Sequence, residues 1–463
     1  MRAAPRALAL AAALALAAGL IGLRTLAPHF TIDRPPEDQP VAAAFALTAL
    51  AGCAFALMTA ALLRAPAAGR FFAALVALGL ALRILFFGSQ PILEDDWRRY
   101  LWEGAAVAAG VDPFDHPPSD GFLHDAFGDL KAPSQDPSVE TLRRIGASRP
   151  DYPELVNHPY LTSVYPPPAQ ASFALAHVIA PFSLDAWRLV LLLVEGGTLF
   201  LMLRALAAFG APASLSLLYW LNPLVIAQTF STAHMDALIA GPLVAAFMAA
   251  RAGRPGLAGA ALGLAAGVKL WPILIAPILF RRFLSRPAAL ARAVAALAVS
   301  SALLLAPLLL AAAASDSGLA AYAAEWRRGA FLFVLMERIA ALAFTDAEAV
   351  ARFSAAGLCA AAALVLSVRP DAEAKRAPAR ALTLVMIILA LSPTAYPWYA
   401  IWAAALLPLA PSLGAAMLAA GGAIYLLRFP NDLTGAEPPF LLLSAQIALP
   451  LAVHLIMRRR KSA

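Results

Sequence analysis

Hydrophobic residues run along this chain in long blocks. Such blocks lie near residues 7–27, 41–63, 71–88, 188–208, 213–231, 236–250, 288–313, 347–366, 381–396, 412–428 and 439–457. A bilayer core is crossed by about 20 apolar residues of helix, so each block predicts a membrane helix. Shorter or proline-broken blocks near 168–184, 256–280 and 398–411 bring the expected number of spans to roughly 11–14. Alternation at period two is absent, and a barrel lumen would not be this apolar, so the spans read as helices.

Charge then assigns sides. Arg2/Arg6, Arg64/Arg70, Arg281/Arg282/Arg286, Arg369/Lys375/Arg376/Arg380 and Arg458/Arg459/Arg460/Lys461 flank the blocks and should be cytoplasmic. Both termini are then expected inside a plasma (inner) membrane. The first block has features of a signal peptide, but the number of spans after it predicts an uncleaved first helix. Residues 89–168 fall outside. This 80-residue segment carries 13 of the chain's 28 acidic residues and 6 Lys/Arg, and should contain short interfacial helices. The chain thus divides into N-terminal membrane helices (1–88), an extracytoplasmic loop (89–168) and the remaining bundle (169–463). Taking 168–184 and 188–208 as full spans would put Arg251 and Arg254 outside. A re-entrant 168–184, with 256–280 as half-helices broken near Lys269–Pro272, restores the positive-inside pattern.

Composition excludes the soluble classes. Hydrophobic residues make up 62% of the 463 positions and charged residues 14%, with mean hydropathy +0.75, whereas soluble domains are about a quarter charged. The 37 prolines rule out a coiled coil. A net charge of +7 fits Arg-rich cytoplasmic loops rather than nucleic-acid binding. The two cysteines, Cys53 and Cys359, support neither a disulfide framework nor a thiolate metal site.

Chemistry is expected where the bilayer tolerates polar residues. Glu94-Asp95-Asp96-Trp97-Arg98-Arg99-Tyr100-Leu101-Trp102-Glu103-Gly104 follows the third block. At helical spacing Asp96, Arg99, Tyr100 and Glu103 share one face, joining a carboxylate that can accept a hydroxyl proton to a cation that can hold it or meet a phosphate. A solvated interfacial helix with tryptophans in the aromatic belt is the plainer reading. Beyond it lie Gly110-Val-Asp-Pro-Phe114 and Asn157-His-Pro-Tyr-Leu-Thr-Ser-Val-Tyr-Pro-Pro-Pro168, where His158 and Tyr165 can contact a sugar or simply punctuate a loop. Leu221-Asn222-Pro223 and His234-Met-Asp236 place ionisable groups at the ends of apolar blocks; helix capping explains them equally well. Lys269, in Gly-Val-Lys-Leu-Trp-Pro, needs either an interface to snorkel to or an anion such as a lipid phosphate. Arg327 and Arg328 are phosphate candidates or a solvated pair, and Leu391–Tyr399, with Tyr396 and Trp398, is a substrate wall or an aromatic girdle. No Walker A loop, dinucleotide motif, HExxH or nucleophile elbow occurs in a usable context.

In this order the motifs resemble the GT-C superfamily of integral-membrane glycosyltransferases, most of all its mannosyltransferase-like branch that uses polyprenyl-phosphate sugars. The residues carrying the likeness are Glu94-Asp95-Asp96…Tyr100-Leu-Trp102-Glu103-Gly104, Gly110-Val-Asp-Pro-Phe114, Tyr165-Pro166-Pro167, Leu221-Asn-Pro223, His234-Met-Asp236, Lys269-Leu-Trp-Pro272 and Pro397-Trp-Tyr399, across roughly residues 70–400. Two additional spans precede the acidic motif here. The resemblance implies an all-α GT-C-like bundle with its active site at the outer face. It further implies transfer of one hexose, most often mannose, to a lipid-linked or glycan acceptor, with inversion. Carried over by position, Asp96 is the general base and Asp95 its alternate. Lys269, Arg99, Arg327 and Arg328 are expected at the donor phosphate. Glu94, Tyr100, Glu103, Tyr165, His234, Asp236, Tyr396 and Trp398 are expected at the substrates. Some similar proteins need a divalent metal, Mg or Mn, and others do not. A transporter or flippase, and an oligosaccharide ligase, are the rival readings; the first would explain Lys269 and the broken helices but not the acidic loop.

Overall fold

A computed structural model describes residues 3–31, 34–35, 38–124, 128–150, 152–313, 317–327, 330–368, 376–427 and 440–460. Among these there are helices and no strands; one isolated bridge joins His124 to Leu130. The principal helices are α1 (Ala3–Leu26), α2 (Val41–Arg64), α3 (Gly69–Ile84), α4 (Asp96–Ala108), α5 (Pro137–Ser148), α6 (Pro167–Ile179), α7 (Leu184–Phe209), α8 (Ala240–Arg251) and α9 (Pro255–Val268). They continue as α10 (Pro287–Ala311), α11 (Gly318–Glu325), α12 (Leu332–Ala340), α13 (Ala347–Val368), α14 (Ala377–Leu391), α15 (Ala400–Leu406) and α16 (Phe440–Arg460).

Five described helices are long and apolar enough to cross a bilayer: Ala4–His29, Val41–Arg64, Leu184–Phe209, Pro287–Ala311 and Ala347–Val368. A sixth span is possible if Pro223–Ser231 and Met235–Arg251, bent by 119° at their break, count as one. The protein is therefore a polytopic helical membrane protein, and among the described residues there are fewer unbroken spans than the hydropathy blocks suggest. The reason is local. Asn222-Pro223 divides the block at 213–231 into one-turn pieces, because Asn222 leaves the helix and caps Leu224 N–H. The block at 412–428 likewise falls into four-residue turns. The expected break at Lys269 is present: α9 ends there in extended backbone, and Pro272 lies in the 3-10 turn that follows. Segment 168–184 is a 13-residue helix ending in a turn, and the sharp bend lies instead at Thr232–His234.

Close helix pairing relies on small residues. Along α9, an added Cβ at Gly259 would strike the Ala293 carbonyl of α10, and one at Gly263 would strike Ser300. The 89–168 loop has its own small core of Trp102, Ala106, Val111, Leu142 and Val156, built by α4, α5 and the 3-10 turn Pro153–Leu155. Gly104 lets α4 settle directly on the Phe173 backbone of α6, so the loop is seated on the bundle rather than hanging from it.

Candidate active site

Asp96 is the first residue of α4, and Asp95 is its N-cap. The free N–H groups at that end favour a carboxylate. The Asn157 amide holds both acids, donating to Asp96 Oδ1 at 2.6 Å and to Asp95 Oδ1 at 3.2 Å. One turn along, the Tyr100 hydroxyl donates to Asp96 Oδ2 at 3.4 Å. His234, fully buried, brings Nδ1 to 3.6 Å from Asp96 Oδ2 and Nε2 to 3.9 Å from Glu94 Oε2. Its ring stacks on Trp398 at 3.7 Å, and Trp398 stacks on Tyr396 at 4.3 Å. Burial, and next the neighbouring charge of Asp95, raise the Asp96 pKa to about 6; the Asn157 hydrogen bond and the charges of Lys269 and Arg99 oppose the rise.

The facing wall carries the second charged group. Asp236 Oδ1 accepts from Lys269 Nζ and from Trp402 Nε1, both at 2.8 Å. Lys269 Nζ also lies 4.1 Å from the Tyr399 ring centre and 5.2 Å from that of Trp402. Lys269 reaches this position because α9 ends one residue earlier.

The first turn of α7 fixes the two walls relative to each other. Arg188, fully buried, donates from Nε to Phe230 O (2.8 Å) and from Nη2 to Ser89 O (2.9 Å), and pairs with Asp185 (2.9 Å). Asp185 in turn accepts from Gly88 N–H, and Trp187 Nε1 donates to Ala233 O at 2.8 Å. These bonds tie the start of the acidic segment and the Phe230–Ala233 bend to one rigid helix end. Left-handed backbone at three non-glycine residues, Leu93, His158 and Ala233, sits beside Glu94, Asn157 and His234. Such strain persists only where surrounding bonds enforce it.

Between the walls lies a cavity of about 480 Å³. Of the residues singled out in the sequence, Glu94, Asp95, Asp96, Tyr100, His158, Tyr165, Asp236, Lys269, Tyr396 and Trp398 line it, while His234 lies behind Trp398. Lys269 is held by Asp236 rather than awaiting an anion alone. Arg99 also borders the cavity, but its donors are engaged: Nε with Glu103 (2.7 Å), and Nη1 and Nη2 with the carbonyls of Asn157, His158 and Leu161. The arginine expected at a phosphate thus clamps the 157–161 segment. Glu103, expected at a substrate, is buried away from the cavity lining, where it accepts from Arg99, Ser163 and Gln170. Arg327, expected at the phosphate, pairs with Glu337 at 2.6 Å and does not line the cavity. Arg328 lies outside the described residues.

Asn157, Trp402 and Arg188 escaped the sequence reading. Asn157 lies in the Asn157–Pro168 segment with no signal of its own and Trp402 lies in apolar helix, whereas Arg188, a charge three residues after Asp185 at the head of an apolar block, carries the signal that rarity of charge supplies. Among the described residues, no three His, Cys, Asp or Glu side chains gather to hold a metal ion.

Residues 164–393 match the family model of glycosyltransferase family 87. This is a GT-C-like membrane glycosyltransferase family, and the match indicates a glycosyltransferase, a transferase acting on sugar donor and acceptor. The matched segment contains His234, Asp236 and Lys269, while the acidic motif precedes it and Trp398 follows it. No curated protein and no solved structure matches the chain.

Proposed function

We propose that this glycosyltransferase moves a single hexose, mannose in the first instance, from a polyprenyl-phosphate donor to an acceptor hydroxyl at the outer face of the membrane. One observation carries the reading: a carboxylate with a pKa of about 6 lines a large cavity in a membrane bundle, opposite a lysine at the end of a broken helix. A base must be ionised at working pH and still basic enough to take a proton, and Asp96 meets both conditions near neutrality.

In the proposed reaction the acceptor oxygen attacks C1 of the sugar while its proton passes to Asp96. The bond from C1 to the phosphate oxygen breaks, and the configuration at C1 inverts. The departing phosphate gains negative charge, and among the described residues lining the cavity Lys269, shared with Asp236, is placed to meet it. Asn157 and Tyr100 hold the Asp96 carboxylate against rotation. Because C1 is already activated by phosphate, no nucleotide site is needed, in keeping with the absent phosphate-loop motifs.

The outward orientation draws support from helix directions. Lys269 at the end of α9 and Leu308 near the end of α10 border the cavity, whereas Arg254 and Arg286 cap the starts of those helices. The basic ends therefore lie on the face away from the cavity, and basic ends are characteristic of the cytoplasmic side.

The decisive assay supplies membranes with radiolabelled polyprenyl-phosphate-mannose and follows the product. A transferase yields an acceptor longer by one sugar. Asp96→Ala and Asp96→Asn should lower that yield by about 10²–10⁴ with protein levels unchanged. Near wild-type transfer by a folded Asp96→Asn protein would remove Asp96 as the base.

A further inference from the structure

Among the described residues, arginines without acidic partners gather at the end of the bundle away from the cavity. Helix α7 starts against Ala233 beside the candidate site. Its 26 residues run about 39 Å at 1.5 Å per residue. They end at Phe209, whose ring centre lies 5.9 Å from the Arg251 guanidinium carbon. Arg251 ends α8, Arg286 caps the start of α10, and Arg282 occupies the 3-10 turn Arg281–Phe283 between them in the chain.

Three guanidinium nitrogens there, Arg251 Nε, Arg282 Nε and Arg282 Nη1, are buried with no hydrogen-bond partner among the described residues. None of the ion pairs among those residues includes Arg251, Arg281, Arg282 or Arg286. Burial, and then the neighbouring charges of Arg251 and Arg286, lower the pKa of Arg282, so these cations act on one another. Arginine stays charged in proteins, and a buried donor without a partner is costly. The guanidinium fork is matched by the oxygens of a phosphate, which would satisfy the idle donors and cancel the repulsion together. What sets the cluster apart is charge: of the other buried arginines, Arg83 has an unpartnered Nε too but pairs with Glu195, and Arg188 pairs with Asp185 and backbone carbonyls.

We infer that Arg251 and Arg282, with Arg286 at the rim, form a phosphate-binding site on the membrane face opposite the cavity. The ligand chemistry is a phosphate ester or free phosphate, and an anionic phospholipid headgroup supplies the former at this depth. Leu284, exposed next to the cluster, gives such a lipid an apolar neighbour. This site is independent of the sugar-transfer reading and needs no turnover to be detected.

The test reconstitutes the full chain in phosphatidylcholine vesicles with or without phosphatidylglycerol, then measures lipid retained after purification by native mass spectrometry. Wild type should retain phosphatidylglycerol, and Arg282→Gln and Arg251→Gln should lose it by about tenfold. Arg292→Gln, which removes an exposed charge in the second turn of α10, should change nothing. A second arm titrates inorganic phosphate: competition with the lipid, or binding in its absence, assigns the site to phosphate chemistry, whereas indifference to phosphate assigns it to the lipid. Equal retention by wild type and both variants, or equal loss in Arg292→Gln, would overturn the site. Should Arg282→Gln fail to fold, Arg282→Lys keeps the charge without the fork and should retain the lipid only in part. Failure of every variant to fold would make the cluster a packing element and overturn the proposal as well.

Discussion

At the residue scale, Asp96 holds opposed demands in balance. Its folded-state pKa of about 6 lies above the ordinary 3.8, so the folded protein binds this proton more tightly than the unfolded chain does. Stability from this group is present below about pH 4 and is lost as pH rises through 6. Asp96→Asn should therefore raise stability at pH 7 by roughly 1–3 kcal/mol while removing activity. Thermal denaturation at pH 4 and pH 7 checks this, since the gain should appear at the higher pH alone. Activity runs the other way: kcat/KM should rise with pH through about 6 as the carboxylate ionises. Asn157→Ala removes a bond that favours the ionised form. Its acidic limb should move to higher pH, with transfer at pH 6.5 down by about tenfold; an unmoved limb would show that Asn157 does not hold the base.

At the element scale, the site depends on where helices stop. α4 begins at its acid, α9 ends at its lysine, and the bend before His234 is held by Trp187 and Arg188 from the side. Trp187→Phe deletes one donor and keeps the packing, so folded yield should persist while kcat falls by about 10-fold through misplacement of the reacting groups. Arg188→Gln leaves carbonyls of Phe230 and Ser89 unpaired and should cost more, about 2–4 kcal/mol of stability along with activity. Unchanged kcat in both folded variants would show the bend to be indifferent to α7. On α9, Gly259→Val has no room against the Ala293 carbonyl and should lower the melting temperature without shifting the pH profile of the enzyme that remains folded.

At the scale of the whole molecule, α9 and α10 each have the cavity at one end and an arginine cap at the other. A reporter active only in the cytosol, fused within residues 112–150, should be silent, and one fused after the C-terminal Arg458–Lys461 run should be active. An active fusion in the first segment would invert the proposed orientation. Much of this architecture was legible in the sequence, because burial in a bilayer writes itself as apolar blocks that leave few polar residues unaccounted for. Glu94–Asp96, His234-x-Asp236 and Lys269 stood out for that reason, and all line or adjoin one cavity. Helix count was less legible: hydropathy senses how apolar a block is, not that Asn222-Pro223 folds it into short turns.

Apolar patterning by itself determined a helical membrane protein, and the rarity of charge within it determined which residues to watch. Tertiary structure decided which of those charges are spent on one another. Arg99 and Glu103, side by side on a predicted catalytic face, neutralise each other in the interior, and Arg327 pairs with Glu337 away from the cavity. It also brought in Asn157, 61 residues beyond Asp96, and Trp402, 166 residues beyond Asp236. Spacing along one helix fixes direction only within that helix, whereas a carboxylate's partners are fixed by whichever distant segment is packed within about 3 Å of it.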